Sequence, residues 1–154
     1  MSETKTLIQE YIALNGKSRN QLLPLLQNIV QHQNYLSEEA MTEVARAMGL
    51  SPADVYGTAS FYSYLSTVPR GKYVIRLCRN ISCMMKSQAE ILSAVSAHLK
   101  IKVGETTSDK KFSLVQANCL GWCHKAPAMM INNEVFTELT APKAIQIINE
   151  YQQK

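Results

Sequence analysis

The sequence predicts an α/β protein in which an N-terminal helical bundle, residues 1–70, precedes a β-α-β-β-β-α region, residues 71–154. Apolar residues recur at helical spacing through the first region, whereas β-branched runs begin after Arg70-Gly71. All four cysteines lie in the second region. A chain of 154 residues is long enough for one ordinary domain or two small ones.

Four helices are predicted in the first region. Amphipathic stripes mark the first two, at Leu7, Ile8, Tyr11 and Ile12, and at Leu22, Leu25, Leu26, Ile29 and Val30. Ser37 is the expected N-cap of the third helix, and Gly49 is expected to end it. Ser51, with Asp54 three residues later, resembles a capping box that opens the fourth.

Strands and helices alternate in the second region. The predicted strands are 73–77, 112–117, 128–131 and 134–136, and the predicted helices are 86–100 and one that opens at Thr140. Asn132-Asn133 between the last two strands is a plausible hairpin turn. The helix between the first two strands is long enough for a right-handed crossover, and this order of elements is typical of a thioredoxin-like arrangement.

One pair of cysteines follows each of the first two strands, with the spacing Cys78-x4-Cys83 and Cys119-x3-Cys123. Parallel strands of a βαβ unit end at the same sheet edge, so the two pairs are expected to meet there. Four thiolates satisfy a 2Fe-2S cluster, in which each iron takes two protein sulfurs. The four cysteines are therefore the predicted cofactor and metal ligands.

Structural zinc is the alternative, because four cysteines can also bind a single zinc ion. Zinc ribbons usually contain two C-x2-C knuckles, whereas the gaps here are four and three residues. The absence of any C-x-x-C motif also disfavours a dithiol redox enzyme. A zinc-stabilised protein-interaction module without a redox role therefore stays open beside the cluster.

Composition argues against nucleic-acid and membrane partners. The net charge of +4 is small, and the basic residues are scattered. Residues 37–56 mimic a helix-turn-helix, but the would-be recognition helix has no Lys or Arg between Pro52 and Val68 with which to contact phosphate. No run approaches the roughly 18 apolar residues that a membrane span needs. The N-terminus lacks the apolar core of a signal peptide. We expect a cytoplasmic protein, free or peripheral to a membrane complex. In that reducing compartment, four cysteines seldom persist as disulfides.

The cysteine segments closely resemble those of a known family. The matching residues are Cys78-Arg79-Asn80-Ile81-Ser82-Cys83-Met84, Cys119-Leu120-Gly121-Trp122-Cys123 and Ala126-Pro127, and Asp54 to Tyr62 in the helical region. They resemble the thioredoxin-like 2Fe-2S ferredoxin family. That family includes the small peripheral iron-sulfur subunit of respiratory complex I and matching subunits of NAD-dependent hydrogenases and formate dehydrogenases.

The resemblance implies more than the residues alone. It implies that Cys78 and Cys83 hold one iron and Cys119 and Cys123 the other. It also implies an electron-transfer subunit of an NAD(P)H-linked oxidoreductase complex, without a substrate site of its own. The implied partners are a flavoprotein that binds FMN and NAD(H), against which the helical region packs, and further iron-sulfur subunits. The chain itself contains no G-x-G-x-x-G phosphate loop.

Two local features give further expectations. Basic residues near the cysteines, among them Arg79 and Lys125, would favour the reduced form of a bound cluster, which suggests a raised reduction potential; solvated loop charge is the alternative. Pro127 precedes a strand where thioredoxin-like folds often keep a cis proline, and a trans proline in a turn is the alternative.

Overall fold

The computed structural model describes residues 2–154. The chain divides into two compact units, Met1–Pro69 and Arg70–Lys154. The first contains only helices and turns, and the second contains all four strands together with three helices. The predicted α/β class, with an N-terminal helical region before a mixed α/β region, is confirmed.

The helical unit contains the four predicted helices. They are α1 (Ser2–Asn15), α2 (Leu22–Gln33), α3 (Glu38–Met48) and α4 (Pro52–Phe61), with a 3-10 turn at Arg19–Gln21. Its core is formed by apolar residues from every helix, including Ile8, Leu25, Ile29, Val44 and Val55. Because these side chains recur at helical spacing, each helix buries one face.

The expected caps delimit α3 and α4. Ser37 accepts a hydrogen bond from the backbone N–H of Ala40, and Gly49 ends α3 in the left-handed conformation with φ 69°. The Ser51 hydroxyl accepts from the backbone N–H of Asp54 and donates to its carboxylate. These side chains satisfy backbone donors that the first turn of a helix leaves unpaired.

The second unit is built on a four-stranded sheet. Its elements are β1 (Tyr73–Cys78), α5 (Ile81–Met84), α6 (Gln88–Leu99), β2 (Phe112–Ala117), β3 (Met129–Ile131), β4 (Glu134–Phe136) and α7 (Ala141–Gln152). The strand order is β2-β1-β3-β4. Strands β1 and β2 are parallel, and β3 is antiparallel to both β1 and β4. The predicted β-α-β-β-β-α order is thus present.

Helices α6 and α7 pack on this sheet and on each other. The core between them includes Ile75, Leu114, Ile91, Ile131 and Ile148. Since α6 connects two neighbouring parallel strands, it runs back from their carboxyl ends to their amino ends. The beginning of α6 therefore lies at the carboxyl edge of β1 and β2.

The structure differs from the sequence prediction in the loops. Helix α6 begins at Gln88 rather than Lys86, because Ser87 adopts a left-handed conformation with φ 63°. The short helix α5 and a 3-10 turn at Cys123–Lys125 were not predicted. The Ala126–Pro127 peptide bond is cis. Among residues 2–154, no helix combines the length and apolar content needed to cross a bilayer.

Candidate functional site

The two cysteine pairs lie at the carboxyl edge of the parallel strands. Cys78 is the last residue of β1 and stands opposite Ala117, the last residue of β2. Cys119 follows two residues later, and Cys123 begins the 3-10 turn. Cys83 lies in α5, directly after β1. Parallel pairing of β1 and β2 thus brings residues about forty apart in sequence to one edge.

The sulfur atoms of the second cysteine pair lie close together. The Sγ atoms of Cys119 and Cys123 are 3.6 Å apart. Two thiolates bound to one tetrahedral metal at about 2.3 Å would lie about 3.7 Å apart, so this pair has the spacing of a shared metal. Within residues 2–154, no three Cys, His, Asp or Glu side chains are grouped so as to hold one metal ion.

The thiols differ in how readily they ionise. Burial raises the pKa of Cys83 to about 11; the nearby sulfurs of Cys78 and Cys123 add to the rise, and the backbone of Ala128 opposes it. The pKa of Cys119 is lowered, mainly by the hydrogen bond from the backbone N–H of Gly121. The pKa of Cys123 is raised, mainly by the neighbouring thiol of Cys119.

Polar groups of one loop support the sulfurs of the other. Asn80 and Ser82, in the first loop, interact through their side chains with Cys119 and Cys123 of the second. The backbone N–H of Gly121 donates to Cys119 Sγ, at 3.3 Å. Gly121 has φ 82°, a conformation that a side chain would strain.

A second contact joins the loops beside Cys78. The Nε of Arg79 donates to the side-chain oxygen of Asn118 at 2.9 Å, and the thiol of Cys78 donates to the backbone oxygen of Asn118 at 3.4 Å. Sequence reasoning did not single out Asn118. Its position directly before Cys119 was the only available signal.

The site has a buried side and an exposed side. Cys78 and Cys83 are buried against Ala126 and Ala128, with Leu120 packed on this group. Cys119 and Cys123 are exposed. Such an arrangement holds one edge of a bound group in an apolar environment and leaves the opposite edge open to a partner.

Exposed apolar side chains surround the open side. Large fractions of their surface are accessible: 69 % for Ile81, 60 % for Met84, 81 % for Met85 and 40 % for Trp122. We call these four residues the apolar rim. The segments 78–88 and 118–133 contain Lys and Arg but no Asp or Glu. The apolar rim is therefore carried by segments whose charged residues are all basic.

The histidines do not join the thiols. His124 stacks on Trp122 with ring centroids 5.6 Å apart. His32 bonds to the backbone of Asn28 in α2, and His98 bonds to Asn149 of α7. These contacts give each ring a structural role.

The residues present fit a 2Fe-2S cluster. The chain offers four thiols in two loops, one pair already at the spacing of a shared metal, with the backbone N–H of Gly121 donating to sulfur. Each iron of such a cluster requires two protein thiolates, and hydrogen bonds to sulfur tune its potential.

Comparison with known proteins agrees with the fit of these residues to a 2Fe-2S cluster. Residues 7–152 match the family model described as "Thioredoxin-like [2Fe-2S] ferredoxin". The chain is 36% identical over 152 residues, 96% of its length, to "NADH dehydrogenase [ubiquinone] flavoprotein 2, mitochondrial" of Dictyostelium discoideum, of which it covers 61%. It is 38% identical over 120 residues, 78% of its length, to "NADH-quinone oxidoreductase subunit 2" of Thermus thermophilus, of which it covers 66%.

A solved structure shows the same fold. The chain aligns over 86% of its length, at 26% identity and a TM-score of 0.75, with part of an NAD+-reducing [NiFe]-hydrogenase in the air-oxidized state. It covers 23% of that hydrogenase chain. The match over residues 7–152 spans both compact units and all four cysteines. The chain belongs to the thioredoxin-like 2Fe-2S ferredoxin family.

Proposed function

We propose that this chain is an electron-transfer subunit that carries one 2Fe-2S cluster on Cys78, Cys83, Cys119 and Cys123. The observation that carries the proposal is the meeting of two cysteine loops at the carboxyl edge of β1 and β2. When bound, such a cluster supplies one-electron redox chemistry. The chain's own residues provide the thiolates and the hydrogen bonds to sulfur, and they shield one side of the site from water.

We assign the thiolates in pairs. Cys119 and Cys123 bind one iron, as their 3.6 Å separation supports, and Cys78 and Cys83 bind the other. The buried pair belongs to the apolar side of the site and the exposed pair to its open side. The gaps of four and three residues favour a diiron cluster over the zinc alternative, because zinc ribbons usually contain two C-x2-C knuckles.

The proposed electron partner is a flavoprotein that binds FMN and NAD(H). Two observations support a partner at the open side of the site: the apolar rim is exposed, and the segments 78–88 and 118–133 that carry it contain basic but no acidic residues. Exposed apolar patches beside a redox centre are typical of interaction sites. The names of the relatives, subunits of NADH dehydrogenases and an NAD+-reducing hydrogenase, support the choice of partner.

The rest of the proposal follows from this role. The chain is part of an NAD(P)H-linked oxidoreductase, located in the cytoplasm or peripheral to a membrane complex, and further iron-sulfur subunits continue the electron path. Residues 1–70 form a helical domain and residues 71–154 the domain that holds the cluster. Catalysis on a substrate belongs to the other subunits.

Anaerobic purification of the full chain tests the cluster. We expect a coloured protein with two irons and two acid-labile sulfides per chain, as a 2Fe-2S cluster requires, that bleaches and becomes paramagnetic when dithionite reduces it. Replacement of each cysteine in turn by serine serves as the ligand control and should diminish cluster content. A colourless protein that contains one zinc ion would contradict the proposal and support the zinc-stabilised interaction module.

A further inference from the structure

Gln88 carries a polar group whose hydrogen-bonding role is not accounted for by its surroundings. The residue is only 5 % exposed. Among residues 2–154, its amide nitrogen Nε2 is the only buried side-chain nitrogen or oxygen without a hydrogen-bond partner. A buried N–H that has lost water and gained no partner is destabilising, so such a group calls for an explanation.

The position of Gln88 in the fold suggests where its partner belongs. Gln88 is the first residue of α6, which begins at the carboxyl edge of β1 and β2. It continues the buried stripe of Ile91, Val95 and Leu99, which packs against the sheet. The side chain therefore lies on the face of α6 turned toward the sheet, at the same edge as the cysteines.

The chain between Cys83 and Gln88 is short and tightly folded. The backbone N–H of Lys86 donates to the carbonyl of Cys83 at 3.1 Å, and that of Ile91 donates to the carbonyl of Ser87 at 3.2 Å. Helices α5 and α6 are in contact. Ser87, in the left-handed conformation, turns the chain between them. Gln88 thus follows Cys83 by five positions, at the sheet edge that carries the cysteine site.

The buried side needs a donor of this kind. Cys119 and Cys123, on the open side, interact with Gly121, Asn80 and Ser82. Cys83 is buried, and the backbone of Ala128 favours its thiolate. Thiolates and bridging sulfides carry negative charge and accept hydrogen bonds.

We infer that Gln88 is a positioning residue that donates its side-chain N–H to sulfur on the buried side of the site once the 2Fe-2S cluster is bound. This inference rests on the proposed cluster. Reduction adds one negative charge to the cluster and its ligands, so the hydrogen bond is stronger in the reduced state. Gln88 thereby raises the reduction potential and stabilises the loaded protein, at the cost of an unpaired N–H in the cluster-free chain.

The test replaces the amide by an apolar group of similar shape. In the full chain loaded with cluster, Gln88→Met is expected to lower the reduction equilibrium constant at least threefold, which is about 28 mV at 59 mV per tenfold change for one electron. Gln88→Leu provides a second variant if the first fails to fold. The control is Gln146→Leu, which also replaces a glutamine by an apolar residue, at an exposed position of α7. It should leave the reduction potential unchanged.

Two further readouts separate this role from packing. Pulsed electron paramagnetic resonance of the reduced chain, labelled with 15N at glutamine, should show a weak nitrogen coupling that is lost in Gln88→Met. The urea midpoint of the cluster-free chain should be unchanged or raised, because the variant removes an unpaired buried group. A fall in that midpoint together with an unchanged potential and coupling would overturn the inference and assign Gln88 to packing.

The two proposals fail in different ways. If the wild-type chain binds no 2Fe-2S cluster, the proposed function is wrong and the role of Gln88 is wrong with it. If the wild-type chain binds the cluster and Gln88→Met retains the wild-type potential and nitrogen coupling, only the role of Gln88 is wrong.

Discussion

The four thiols occupy different surroundings, and the difference predicts their order of reaction in the cluster-free chain. Cys119 is exposed and its pKa is lowered, mainly by the backbone N–H of Gly121. Cys83 is buried and its pKa is raised to about 11. A lower pKa leaves more thiolate, which is the reactive form. At about pH 8, near the ordinary thiol pKa, Cys119 is therefore expected to be alkylated well before Cys83.

Timed alkylation followed by peptide mass spectrometry measures this order. The loaded protein serves as the control, since bound thiolates are protected from the reagent. Equal rates for Cys83 and Cys119 in the cluster-free chain would show that the two loops do not hold the environments described above.

Arg79 is the basic residue whose position beside the site is fixed by a defined contact. Its guanidinium donates to the side-chain oxygen of Asn118 at 2.9 Å. In sequence, Arg79 directly follows Cys78 and Asn118 directly precedes Cys119. A fixed positive charge favours the more negative, reduced state of a neighbouring cluster. Arg79→Ala is expected to lower the midpoint potential in a redox titration. Arg79→Lys keeps the positive charge and should have a midpoint potential close to that of the wild-type protein. Equal potentials in all three proteins would show that Arg79 is only a solvated loop charge.

At the scale of elements, a hydrogen bond between β4 and α7 gives the second unit a pH dependence. The Tyr151 hydroxyl donates to the Glu134 carboxylate. Burial, and then this carboxylate, raises the pKa of Tyr151 to about 12 from its ordinary value of 10.0. Because the folded state favours the neutral phenol, the stabilisation is complete below pH 10.0 and is lost as the pH rises toward about 12.

Urea unfolding between these two pH values measures that loss. The wild-type chain should lose on the order of 2 kcal/mol more than Tyr151→Phe, which cannot ionise at this position. The variant is the matched control for all other groups that titrate in the same range. Parallel loss of stability in both proteins would show that the ionisation of Tyr151 is not linked to folding.

Much of the element order could be predicted from local sequence. Ser37, Gly49 and Ser51 are caps whose chemistry is local, and the strand 112–117 has the predicted bounds. The meeting of the cysteine pairs could also be anticipated, because it follows from parallel pairing in any βαβ unit.

The remaining features lie between Asn80 and Gln88, where the sequence carries weaker signals. The short helix α5 depends on Asn80, whose side chain accepts from the backbone N–H of Ile81 at 2.8 Å, in a segment that reads as loop. Helix α6 begins late because Ser87 is left-handed, an unusual conformation for serine. Gln88 was not recognised because a glutamine beside a loop normally faces solvent. Its place one turn before Ile91 was the signal that a buried polar group lay there.

At the scale of the whole molecule, the apolar rim predicts how the chain meets its electron partner. Met85 is 81 % exposed beside the site, and methionine is enriched where interfaces are buried. Met85→Ser is expected to slow electron transfer with the proposed flavoprotein partner by about fivefold or more, as loss of an interface anchor does. The midpoint potential should stay unchanged, because the substitution is neutral in charge.

The matched control is Leu14→Ser, which changes an equally exposed apolar residue in α1. It should leave the electron-transfer rate unaltered. Equal effects of the two substitutions, or none from Met85→Ser, would show that the apolar rim is not the docking surface.

The central claim is that two loops from neighbouring parallel strands share one pair of bridged irons. A crystal structure of the anaerobically purified chain, with anomalous diffraction recorded at the iron absorption edge, tests it most directly. The account predicts two iron positions, one bonded to the Sγ atoms of Cys78 and Cys83 and the other to those of Cys119 and Cys123. A single metal ion bonded to all four sulfurs, or iron bound away from them, would contradict it.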